Sequence, residues 1–217
     1  ELKTKLTELE NKLSEKRLEE SKIRSELQYK TSRYKTLFEM ENNLDGYNKR
    51  VRSILKACID SKEFGKGIHG ALAQLIKSER KYETAIEMSL GNALQHIVTS
   101  TEEEAKKSIS FLKENKLGRA TFLPLNSVRG KEFDSSLAER ISQQKGFCGI
   151  ASKLVSFDPR YAQIINSFLG KVVVVDNLDN ATEMAKKFNY SFRIATLDGD
   201  ILNPGGSISG GSPEKKG

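Results

Sequence analysis

The stretch NPGGSISGGS, residues 203–212, carries four glycines in two pairs, a spacing with which a loop can cradle phosphate. A phosphate loop of the type G-x-x-x-x-G-K-[ST] needs both parts of its pattern: backbone amides hold the phosphates while the lysine reaches the terminal ones. Gly205 to Gly210 and Gly206 to Gly211 satisfy the glycine spacing, but the next residue is Gly211 or Ser212, so the cation is missing. A second stretch, GKGIHG at 65–70, matches the dinucleotide fingerprint G-x-G-x-x-G, which works only after a strand and at the start of a helix. Here it follows the helical or loop segment VRSILKACIDSKEF and leads into the strand-like GALAQLI. Its glycines therefore read as shaping the entry into a first strand. His69 and His96 lie in different elements without ligand spacing for zinc, and read as structural. Asp158, Asp176, Asp179, Asp198 and Asp200 fall at turns and helix starts, where carboxylates cap backbone amides, and no general acid–base pair emerges. Cys58 and Cys148 stand far apart and outside any C-x-x-C pair, as expected of reduced thiols.

The elements that must position these residues fall into two styles. Over residues 1–50 apolar side chains recur on a heptad period. Leu6, Leu13, Leu27 and Tyr34 form one line, and Leu2, Leu9, Ile23, Leu37, Leu44 and Val51 its partner. Glu20 and Glu41 interrupt the first line, Lys16 and Lys30 the second, and Gly46 loosens the end. A helix of this kind is stable only when a partner covers its stripe. Charged residues make up 30% of the chain and the net charge is +7, which fits a solvated helix joined to a compact domain and permits an acidic partner. No stretch approaches the roughly 20 apolar residues that cross a bilayer. The chain starts without Met inside the heptad pattern, and reads as a piece of something longer.

Beyond the arm, short β-type runs alternate with amphipathic helices, predicting a mixed α/β (α+β) fold. This part repeats itself. YETAIEMSLG, ending at Leu90-Gly91, matches YAQIINSFLG, ending at Leu169-Gly170, with each glycine placed for a left-handed helix end. Ile97-Val98 then matches Val173-Val174, Ala105-Lys106-Lys107 matches Ala185-Lys186-Lys187, and Ala120-Thr121-Phe122 matches Ala195-Thr196-Leu197. Each unit reads as strand, helix, strand, helix, strand. A polar connector around 126–146, with a small helix near Leu137 and Ile141, divides two similar subdomains at 51–135 and 136–212, and 213–217 begins a returning arm or a tail.

Ile201, Leu202 and Ile208 make the glycine-pair segment more strand-like than a linker, and glycine in a strand marks close approach of another backbone. The pairs are expected at an edge where two chains meet. Taken in order, the heptad arm, GIHGALAQLI, YETAIEMSLGNALQHIV, GRATFLPLN and LNPGGSISGGS closely resemble the hinge domain of bacterial SMC (structural maintenance of chromosomes) proteins across nearly the whole chain. The resemblance implies two related subdomains beside an antiparallel coiled coil, forming a dimer that joins two long arms. It places the dimer contact on Gly205, Gly206, Gly210 and Gly211, with Ile208 between them, and on Thr121, Phe122 and Leu123 of TFLPL, used head to tail as a closed twofold ring.

The resemblance further implies DNA contact near the coil junction. Lys49, Arg50, Arg52 and Lys56 lie on one side of that junction and Lys215 and Lys216 on the other, cations suited to phosphates without reading sequence. The partners expected are a second copy of the chain, DNA held nonspecifically, and the missing returning helix, with no membrane. The location expected is cytoplasmic, at the nucleoid. No cofactor is expected here, since the family binds ATP at heads outside this segment, and the chain is read as no enzyme. Two other readings stay open: a coiled-coil adaptor that dimerises through the arm, and a nucleotide-binding enzyme.

Overall fold

The computed structural model describes residues 1–44 and 46–211, and the chain divides into two compact units, Glu1–Asn48 and a second from Lys49 onward. The first unit is one helix, α1 (Leu2–Asn43). Its heptad leucines stand in solvent, Leu2, Leu6, Leu9, Leu13 and Leu27 all being exposed. Ion pairs one turn apart, Lys16–Glu19, Arg24–Glu20 and Lys30–Glu26, support the helix locally, each by only a few tenths of a kcal/mol. The heptad count carried the arm to residue 50 and placed Val51 on its seam. Instead α1 ends at Asn43 and a new helix, α2 (Lys49–Asp60), turns Val51, Ile54 and Leu55 inward onto the second unit.

In the second unit α2 is followed by α3 (Lys62–Gly65), β1 (Ile68–Ala71), α4 (Leu72–Leu75), β2 (Ile76–Ser78), α5 (Glu83–Leu90), β3 (Ile97–Thr99), α6 (Glu102–Glu114) and β4 (Phe122–Pro124). After α7 (Ser135–Ser142) the order recurs: β5 (Phe147–Ile150), β6 (Val155–Phe157), α8 (Ala162–Leu169), β7 (Val172–Val175), α9 (Leu178–Lys187) and β8 (Arg193–Thr196). A hairpin, β9 (Ile201–Leu202) and β10 (Ile208–Ser209), closes the described chain. Helix starts follow local chemistry. Thr101 and Glu104 form a reciprocal capping box before α6, and the Asn177 side chain accepts from the Asn180 amide at the start of α9.

The internal repeat extends to the topology of three strands in each half. β3 pairs antiparallel with β1 and parallel with β4, just as β7 pairs with β5 and β8, and the register shifts next to Gly70 in one half and Gly149 in the other. Three expectations are corrected. The run IHGALAQLI is not one strand, because the helical turn α4 splits it into β1 and β2, with the 3₁₀ turn Ala151–Lys153 as its counterpart. The last strands align three residues further along than the sequence match put them. Leu123 opposite Val98 corresponds to Ala195 opposite Val174, since both α6 and the connection after it, 115–121, are longer than α9 and 188–192. Gly91 has a positive φ of 48°, but Gly170 is right-handed at −65° and is glycine because a Cβ would strike the carbonyls of Lys131 and Asn166.

The halves are fused. β2 and β6, equivalent strands of the two repeats, pair antiparallel with each other, so a pseudo-twofold axis runs between Lys77 and Ser156. One continuous core joins Leu72, Ala85 and Ile86 of the first half to Ile164, Ile165 and Val174 of the second. A second core, with Ile141, Val173, Met184 and Ile194, lies between the five-stranded sheet, α7 and α9.

Candidate association edges and a basic helix face

The first sheet has the order β1-β3-β4 and the second β10-β9-β8-β7-β5, so β4 and β10 are edge strands. Thr121 O accepts from Ile97 and the Leu125 amide donates to Thr99, which turns the odd-numbered groups of β4 toward β3. Strand alternation then directs the Phe122 amide and carbonyl, and the Pro124 carbonyl, to the open side. Pro124 is tolerated there because its missing N–H would face outward. In β10 the Asn203 amide donates to Ser207 O, so Ser207 and Ser209 face β9, while Ile208 and Gly210 aim amide and carbonyl outward. In the second half β9 and β10 cover the outer edge of β8. Its counterpart in the first half, β4, has no such cover among the described residues.

The sequence placed the glycine pairs within a strand, and the structure moves them to its ends. Gly205 and Gly206 form the turn between β9 and β10 at φ of 85° and 97°, a region that L side chains enter only at a cost of about 1–2 kcal/mol. Gly210 and Gly211 follow β10. A Cβ on Gly210 would collide with the Asp200 carboxylate. Ile208 is exposed at 53%, a large aliphatic side chain on an edge that polar residues normally guard. Thr121 is exposed, Phe122 half-buried and Leu123 buried, so the two edge segments brought forward by the sequence are both real edges of the second unit, one per sheet.

Residues the sequence did not single out shape the β9–β10 turn. Tyr190, at a positive φ of 52°, offers its carbonyl to the Gly205 amide and lays its ring beside Gly206. Arg193 donates from Nε to Asn203 Oδ1 at 3.1 Å and from Nη1 to Ser89 O at 3.3 Å, tying the turn to helix α5 of the first half. The FNYSF run offered no periodic signal for this; only the Asn-Tyr pair hinted at left-handed backbone.

Of the proposed DNA contacts, Lys49 and Lys56 are exposed on the face of α2 opposite Val51, Ile54 and Leu55, whereas Arg52, beside them, is half-buried with its Nε enclosed. Arg50 sits to the side, where its Nη1 donates to Arg119 O at 3.2 Å. Lys215 and Lys216 lie outside the described residues.

His69 is held by hydrogen bonds, whereas His96 packs its ring edge-on to Phe168 and buries an Nδ1 that has no hydrogen-bond partner among the described residues. His69 Nε2 lies 2.9 Å from Ser100 Oγ and its Nδ1 3.1 Å from the Tyr161 hydroxyl, which bridges the repeats. Burial, aided by Arg160, lowers its pKa below the usual 6.5 against the opposing pull of Glu104 and Asp158, and burial lowers that of His96. A folded pKa below the unfolded one means that protons bind preferentially to the unfolded chain, so this stability is complete above pH 6.5 and is lost as pH falls below it. Thermal melting is expected to drop between about pH 7.5 and pH 5.5, less so in His69→Gln. Glu104, Asp134 and Asp158, with lowered pKa values, act only below this window. Burial raises the Cys58 thiol to about 11, which makes it a poor nucleophile.

Fold and edges together define a hinge-type domain: two fused α/β repeats with an open strand edge on each sheet, in a chain that also carries a long heptad helix. Residues 65–185 match the family model described as the SMC proteins Flexible Hinge Domain. The chain belongs to the SMC hinge family. It is 44% identical over 190 residues to the chromosome partition protein Smc of Bacillus subtilis (strain 168), covering 88% of this chain and 16% of that protein. With the Smc of Methanocaldococcus jannaschii the identity is 38% over 211 residues, 97% of this chain and 17% of the relative. The chain thus spans about a sixth of these relatives. Among solved structures, an asymmetric dimer of the Geobacillus stearothermophilus SMC hinge domain superposes with a TM-score of 0.79 at 40% identity, covering 87% of this chain and 75% of that one. The Pyrococcus furiosus Smc hinge with an extended coiled coil gives 0.59 at 30% identity, over 97% and 78%.

Proposed function

We propose that the second unit is a homodimerisation module of a chromosome partition protein. The β10 edge of each copy pairs with the β4 edge of the other, and two such contacts close a ring with twofold symmetry. The observation that carries this is β4, which no strand covers among the described residues, whereas its equivalent in the other repeat is covered by a hairpin of this chain. The Geobacillus stearothermophilus hinge was solved as an asymmetric dimer, which supports self-association of such a unit. The exposed leucines of α1 then take the returning helix of the same polypeptide, so that the dimer joins two arms. The role is architectural: no catalytic step is assigned, ATP hydrolysis belongs to the heads of the full-length family, and the work is done in the cytoplasm at the nucleoid.

Light scattering on residues 48–217 tests the module. A dimeric mass without the arm supports association through the globular unit. A monomer would move association to the exposed α1 stripe and favour the coiled-coil adaptor.

The α2 face is proposed to hold duplex DNA by its phosphates, with Arg50 at its flank and Lys215 and Lys216 as the cations across the junction. Changing Lys49, Arg52 and Lys56 together to Glu is expected to weaken binding of a plain duplex at least tenfold at low salt and to flatten the salt dependence by about three counterions. Unchanged affinity and slope would remove DNA from this face.

A further inference from the structure

A cleft of about 620 Å³ opens on the second unit, away from α2, between the connector that follows β4, the end of α8 and the start of β8. Four basic side chains line it, Arg129, Lys131, Lys171 and Arg193, and among the described residues no carboxylate does. None of the four forms an ion pair among the described residues. The neighbouring carboxylate, Glu132, is committed elsewhere, at 3.0 Å from Lys153 Nζ and accepting from Asn166 Nδ2 at 2.7 Å.

The two arginines are held in place. Arg129 donates from Nη1 to Val128 O at 2.9 Å and from Nη2 to Asn126 O at 2.8 Å, and Arg193 is tied to Asn203 and Ser89 as described above. Each guanidinium keeps N–H groups beyond those bonds. Lys131 and Lys171 are exposed and reach in on flexible stems. Phe133 and Phe168, both half-buried, give the cleft an apolar wall.

Like charges gathered in a concave site without counter-charge repel one another, and an anion that enters relieves that repulsion. The volume lies within the range of small-molecule sites and is far too small for a duplex. Preorganised guanidinium groups suit phosphate oxygens, and an aromatic wall suits a sugar or base. We propose that this cleft binds a phosphate-bearing ligand of nucleotide size, its phosphates on Arg129, Lys131, Lys171 and Arg193 and its flat part against Phe133 and Phe168. The same chemistry is offered by a free nucleoside triphosphate and by one nucleotide of a single strand.

The test uses the whole chain at low salt with two fluorescent probes, N-methylanthraniloyl-ATP and a labelled eight-residue oligothymidylate, and inorganic tripolyphosphate as competitor. Saturable anisotropy is expected for at least one probe, displaced by tripolyphosphate and weakened about tenfold or more by Lys131→Glu with Lys171→Glu, two exposed positions whose change leaves the melting temperature in place. The triple change on α2 should leave this binding intact, which keeps it separate from the duplex reading. Binding of the triphosphate alone identifies a free nucleotide as the source, and binding of the oligonucleotide alone a strand. No saturable binding of either probe, or binding indifferent to Lys131→Glu and Lys171→Glu, would overturn the proposal.

Discussion

A chain carrying Ile208→Pro is expected to run as a folded monomer at concentrations where the parent is a dimer. The Ile208 amide faces away from β9, so proline in its place leaves the bonds within the hairpin standing and removes a donor only from the open edge. By the proposed symmetry the loss occurs at two contacts, and the ring also obstructs the incoming strand. At about 1 kcal/mol for each ladder bond, plus the strain of misfit, the total is roughly 3 kcal/mol, or a hundredfold or more in the dimer Kd. Analytical ultracentrifugation across a concentration series measures it, with thermal melting as the control for folding. Phe122→Pro on β4 should do the same from the other side, since the Phe122 amide also faces outward. Ile208→Val, which keeps the amide, should remain dimeric. A proline variant with the parent's dimer affinity would mean that these strands do not meet.

Ile164→Ala is expected to destabilise both repeats together. Ile164 is fully buried in the core that runs from Leu72 and Ile86 across α8 to Val174 and Ala195, so the cavity it leaves belongs to neither half alone. Buried large-to-small changes of this kind cost about 2–5 kcal/mol, which in a domain of this size lowers the melting temperature by roughly 5–15 °C. A single transition should persist, seen alike by circular dichroism and by Cys58 and Cys148 labelling, which report on opposite halves. Two separated transitions would show that the repeats fold independently and that the β2–β6 pairing is a mere contact between domains.

Much of this architecture could be read from one-dimensional pattern. The heptad leucines announced α1 because helical period is a local property, and the two Tyr-to-Gly helices announced the repeat because equivalent folds demand equivalent apolar spacing. GGSISGG was recognisable as an edge segment through its small residues, while TFLPL entered only through the family resemblance. What failed did so where the chain's local signal conflicts with its packing. The apolar run IHGALAQLI carries no mark of the turn that splits it, and Val51 continued the heptad count although it had already entered another core. Gly170 looked like a left-handed helix end and is glycine only because two carbonyls crowd it.

The sequence by itself determined the composition of the molecule: a helix with an uncovered stripe, a duplicated α/β unit, and glycine where the backbone must turn sharply. Only the tertiary structure decided that the halves share one core through β2 and β6, that β4 is left open among the described residues where β8 is covered, and that four cations distant in sequence surround one cleft. The reason is physical. Periodicity and backbone preference act over a few residues and are written in order along the chain, whereas strand neighbours, shared cores and charge clusters depend on which surfaces the fold brings together.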